Sequence, residues 1–168
     1  MCEYYSEQWE NIIKIKTELD NIIFDYNKLD RNIRKNDLHQ ALSDKNHLKR
    51  LPILKMMAEG YFFSDSLELV LDELVMNAVI GHEECAAYAS KALNHVNMKK
   101  WKKEIIQLIF MYTDNNLSDS FVFHQAWHLM YNLGFKEALL NYIEKYEEYM
   151  EGELDEEDIR DIKDLYER

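Results

Sequence analysis

The stretch SLELVLDELVMNAVIG, residues 66–81, decides the fold class. Its apolar residues Leu67, Leu69, Val70, Leu71, Leu74, Val75, Ala78 and Val79 cover most sides of a helix and do not alternate as a strand would. A helix that is apolar on most sides belongs in the centre of a domain, wrapped by other helices. Ahead of it, Asp65 followed by Glu68 reads as a capping box, in which side chains satisfy the orphan donors of the first turn. Behind it, Gly81 reads as a stop. The prediction is one buried helix from Ser66 to Ile80.

Downstream the same helical period repeats. Residues 83–94 place Cys85, Tyr88, Ala89, Ala92 and Leu93 on one face, and residues 98–113 do so with Trp101, Ile105, Leu108, Ile109 and Tyr112. Residues 119–133, capped by Ser118 or Asp119, are apolar nearly all round. Residues 135–150 carry Leu139, Tyr142, Ile143 and Tyr146, and a last amphipathic helix is expected over 155–166. With one proline and four glycines in 168 residues, there is little material for tight strand turns. The class is all-α.

Upstream, Ile12, Ile15, Leu19, Ile22, Tyr26, Leu29 and Ile33 step alternately by three and four, which predicts a long helix over 6–35 with a heptad seam. A polar break follows at Asn36 and Asp37, and a helix over 43–59 contains Pro52, where a kink or a fresh start is expected. From residue 52 onward the elements are expected to pair as 52–59 with 66–80, 83–94 with 98–113, and 119–133 with 135–150. Such pairs stack either as an α-solenoid or as an irregular bundle, within one domain spanning 1–168. Its parts are the helix over 6–35, stacked pairs over 43–150 and an acidic C-terminal helix over 153–168. The segment Gly134-Phe135-Lys136-Glu137-Ala138-Leu139 with Tyr142 resembles the second helix of a tetratricopeptide repeat, a spacing the earlier pairs do not keep.

Charge then narrows the function. The net charge is -12, and it is unevenly placed: residues 1–55 hold ten bases against nine acids, whereas residues 104–168 hold five against sixteen. A field of that sign repels nucleic acid and anionic lipid and attracts basic proteins. No stretch approaches the ~20 apolar residues of a membrane span, and the opening residues lack the pattern of a secretory signal, so a cytoplasmic protein is expected. Cys2 and Cys85 are too few for a disulfide framework and are expected to be free thiols.

Few residues suggest chemistry. His124 and His128 sit one helical turn apart, a spacing that can hold a divalent metal, but Gln125 stands where a metalloprotease pattern has its glutamate. His82-Glu83-Glu84-Cys85 lacks a second ligand pair, and there is no glycine-rich phosphate loop or nucleophile elbow. Neither an enzyme nor a cofactor site is expected. Lys99, Lys100, Lys102 and Lys103 form the basic cluster; with the global acid against it a nucleic-acid groove is not expected, and an internal contact to the acidic end is an equal alternative. That end combines Glu144, Glu147, Glu148, Glu151 and Asp155 with Tyr142, Tyr146 and Tyr149. Acids steer a basic partner and tyrosines supply contact area at low entropic cost, so these eight are the candidate partner-binding residues.

In its overall character as a small, acidic, helical chain, the sequence resembles the immunity proteins of bacterial contact-dependent inhibition and related polymorphic toxin systems. The resemblance implies neutralisation of one cognate toxin domain, often a cationic nuclease, by covering its active site. Two other functions are compatible with the residues: a scaffold that oligomerises through the N-terminal seam, and a metal-dependent helical enzyme using His124 and His128.

Overall fold

The computed structural model describes residues 6–149, in which the chain forms nine α-helices and no strand. These are α1 (Glu7–Tyr26), α2 (Arg31–Leu42), α3 (His47–Ala58), α4 (Ser64–Glu68), α5 (Leu71–Ile80), α6 (Glu83–Leu93), α7 (Met98–Asp114), α8 (Ser120–Asn132) and α9 (Lys136–Tyr146). A 3₁₀ turn, Glu147–Tyr149, follows α9. No helix among the described residues is long and apolar enough to cross a membrane.

Helix α5 is central, as its all-round apolar sequence requires. Leu74, Val75 and Val79 are fully buried, and the helix packs on α2, α4, α6, α7 and α8. The element starts later than expected, however, because the chain leaves helical geometry at Val70 (φ -126°, ψ 34°) and splits the 66–80 stretch into α4 and α5. The expected capping box does not form. Asp65 and Glu68 are taken instead by tertiary ion pairs, to Arg34 at 2.9 Å and Lys100 at 2.8 Å. Lys100 therefore ties α7 to α4.

The N-terminal helix also breaks early. Asn27 ends α1 because its side chain is used elsewhere: the amide donates to the Tyr61 carbonyl at 3.0 Å and the amide oxygen accepts from the Phe63 N–H at 3.2 Å. Asp30 then caps α2 by accepting from the Asn32 N–H at 2.8 Å. The helix expected over 6–35 is thus two helices, and the break expected at Asn36 and Asp37 lies inside α2. Pro52 interrupts nothing. Helix α3 runs through it, since the carbonyl deprived of its donor belongs to Leu48, an exposed residue whose backbone water can reach.

Of the three pairs expected from the sequence, α8 with α9 forms, whereas the first two are replaced: α3 packs chiefly on α6, and α6 on α3 and α5. The packed pairs are α2 with α3, α5 with α6, and α7 with α8, while α9 packs on α8 and meets α7 through Phe110 and Tyr142. This gives two rows: α2, α5, α7 and α9 in one, and α3, α6 and α8 in the other. The contact between α3 and α6 is the most extensive in the molecule, because Ala89 and Ala92 on α6 let the backbones approach. Two αL glycines close helices in this stack. At Gly60 (φ 78°) and Gly134 (φ 68°) the chain turns out of α3 and α8, and Tyr61 and Phe135 donate back to the Met56 and Met130 carbonyls.

Candidate functional site

The second row opens between α6 and α8, where the walls enclose a groove of about 570 Å³. Its α6 wall presents Ala86, Ser90, Lys91 and Asn94, and its α8 wall presents Phe121, His124 and His128. Asp119 sets the start of α8 by accepting from the Phe121 N–H at 3.1 Å, and from there the helical period brings residues 121, 124, 125 and 128 to one face. Ala78 of α5 and Leu129 line the groove as well. Gln125 is buried and anchors this wall to the α5–α6 turn by donating to the Gly81 carbonyl at 3.3 Å. Its Oε1 atom has no partner.

The two imidazoles come together as their spacing predicts, with ring centroids 4.3 Å apart at 72°. His128 also stacks on Trp127 at 3.7 Å. Burial pushes the His128 pKa below the usual histidine value, and the neighbouring His124 adds to that by repelling a second proton. Two adjacent imidazoles can offer two metal ligands, yet among the described residues no group of three His, Cys, Asp or Glu side chains could hold an ion. Cys85 is buried against α3, with its thiol 3.6 Å from the His47 carbonyl, and burial raises its pKa.

The acidic end is built differently from the expectation. Tyr142 and Tyr146 are 0% and 2% exposed and belong to the core. Leu139, Tyr142, Ile143 and Tyr146 step by three, one and three, so they share one face of α9 and that face packs on α7 and α8. The Thr113 hydroxyl donates to the Ile109 carbonyl at 3.0 Å and so accepts from the Tyr142 hydroxyl, also at 3.0 Å. The Tyr146 hydroxyl donates to Asp114 at 2.6 Å, and Lys145 reaches the same carboxylate at 2.8 Å. Lys145 first, and Tyr146 second, hold the Asp114 carboxyl below the usual carboxylate range. Neither tyrosine is available to a partner in this structure.

Of the eight candidate residues, Glu144, Glu148 and Tyr149 are exposed among the described residues. Tyr149 lies stacked on Phe123 at 5.6 Å with an edge open to solvent. Glu147 lies in the 3₁₀ turn, while Glu151 and Asp155 fall outside the described residues, as do Cys2 and the helix expected over 155–166. Nothing in the sequence marks Ser90, Lys91 and Asn94 as a groove wall, because the facing wall comes from α8, beyond a whole intervening helix.

Comparison with protein-family models, with curated proteins and with solved structures finds nothing that matches this chain.

Proposed function

We propose that this chain is an immunity-type binding protein, which captures one cationic toxin domain and blocks it by covering its active site. The observation that carries this reading is the charge distribution: sixteen acids against five bases over residues 104–168, in a chain whose first 55 residues are nearly neutral. A one-sided negative field draws a basic partner in and orients it before contact. Glu144 and Glu148, exposed beside Tyr149, are the described part of that surface. Toxin domains that cleave nucleic acid need cationic grooves for phosphate, and a wall of carboxylates competes for the same groups.

The test is co-expression with the product of the gene directly upstream. On this reading that product is lethal alone and harmless beside this chain, and the two co-purify. With the partner in hand, Glu144→Lys together with Glu148→Lys should lower the association rate at least tenfold at low salt. Raising salt should slow the wild type in the same way, because steering is screened beyond ~8–10 Å. An upstream product that is harmless alone, or an association rate indifferent to both treatments, overturns the proposal.

A further inference from the structure

Helix α1 stands apart from the rest of the fold. It is 20 residues long, roughly 30 Å at 1.5 Å per residue, yet Ile23 is its only buried residue. The body holds its C-terminal half, through Ile23, the Asn27 hydrogen bonds, an edge contact of Phe24 with Phe63 at 6.5 Å and the Lys16 ammonium 4.7 Å over the Tyr61 ring. The seam side chains Ile12, Ile15, Leu19 and Ile22 are 54%, 64%, 37% and 66% exposed. Together they leave on the order of 400 Å² of apolar surface open per copy, the size of patch that often serves as a contact surface.

We infer that two copies of this chain pair antiparallel along α1. A two-fold interface must be complementary to itself, and this seam is: its steps of three, four and three are symmetric about Thr17. Pairing about that point sets Ile12 against Ile22 of the second copy and Ile15 against Leu19, the alternating layers of an antiparallel coiled coil. The seam contains no charged residue. Glu18, which flanks it near the two-fold axis, is already paired with Lys14 on its own helix at 4.0 Å.

The area also fits. A helix docked along its length covers roughly 600–800 Å² a side, against about 800 Å² per partner in specific interfaces. The net charge of this segment does not oppose the pairing, since residues 1–55 hold ten bases and nine acids. The antiparallel sense follows from the attachment. Two parallel copies would bring both bodies to the same end of the rod, where they compete for space. The pairing does not depend on the toxin reading.

The experiment is light scattering and sedimentation equilibrium on the full chain from low to high micromolar concentration. The wild type should have twice the 20.2 kDa mass of one chain. Ile15→Glu with Leu19→Glu should reduce it to a single chain with unchanged circular dichroism, because both side chains face solvent in the lone chain. Glu18→Cys, with Cys2→Ser and Cys85→Ala, should form a disulfide-linked pair on oxidation, since the two copies of position 18 meet only in the antiparallel register. A single-chain mass at every concentration overturns the inference, as does a double variant that stays paired. So does a pair that Glu18→Cys fails to cross-link, or a wild type that binds lipid vesicles and never pairs.

Discussion

Individual residues show where the physical chemistry overrode their type. Tyrosine beside glutamate reads as an interface anchor, but the apolar period of α9 places Tyr142 and Tyr146 with Leu139 and Ile143, and burial follows period before composition. Replacing Tyr142 by Phe should cost about 1 kcal/mol of stability, one hydrogen bond, because Thr113 keeps the Ile109 carbonyl. Tyr146→Phe should cost about the same, the Asp114 carboxylate being half-exposed and able to turn to water. Urea unfolding measures both. If stability is unchanged while partner capture falls, the two tyrosines act at the surface and the packing described above is wrong. Arg34 is the opposite case, a charge that the sequence alone gives no reason to bury. Its guanidinium is 8% exposed and spans the Leu29 carbonyl, Ser66 and Asp65, joining α2 to α4. Arg34→Ala should destabilise by roughly 2–3 kcal/mol, because Ser66 is left buried with fewer partners. Asp65→Ala should cost under about 1 kcal/mol, since that carboxylate is 61% exposed. Equal losses from the two variants would refute this asymmetry.

Among the elements, what was legible was helix content and the central place of α5; what was not legible was where helices stop. The stops at Gly60, Gly81 and Gly134 were readable because glycine marks them locally. The stops at Asn27 and Val70 were not, because distant partners cause them: Tyr61 and Phe63 for the first, Arg34 and Lys100 beside the second. The first two helix pairings failed for a related reason. Short connections suggested that each apolar helix packs on its neighbour in sequence, whereas α6 is small-sided and fits α3 better than α7. The groove was invisible for the same cause, being formed by α6 and α8 with a whole helix between them in the chain. Helix α3 offers a direct test at this scale. Pro52 is exposed in its interior and contributes no donor, so Pro52→Ala should restore one backbone bond and raise the urea midpoint by the equivalent of roughly 1–3 kcal/mol. A loss of stability would mean that the proline ring itself contributes to the packing or pre-ordering of α3.

At the scale of the whole molecule, three Lys or Arg pairs with carboxylates join helix to helix among the described residues, beside the His39–Glu73 contact of α2 with α5, and they set how the fold answers acid. Asp65 with Arg34 joins α4 to α2, Glu68 with Lys100 joins α4 to α7, and Asp114 with Lys145 joins α7 to α9. In each case the basic partner holds the carboxyl below its ordinary value. A group whose pKa is lower folded than unfolded binds its proton more readily in the unfolded chain. Its contribution is therefore complete above the unfolded value, about 4, and is lost as pH falls through the folded value. Stability should thus hold through the mildly acidic range and decline steeply below about pH 4, where the three junctions release together. Urea midpoints measured from neutral pH to about pH 2.5 would show the decline. Asp114→Asn should make it shallower, because that variant has no proton to take up at this junction. If the midpoint falls as steeply in the variant as in the wild type, the α7–α9 junction is held by the aromatic packing of Phe110, Tyr142 and Tyr146 alone, and its ion pair is ornamental to the fold.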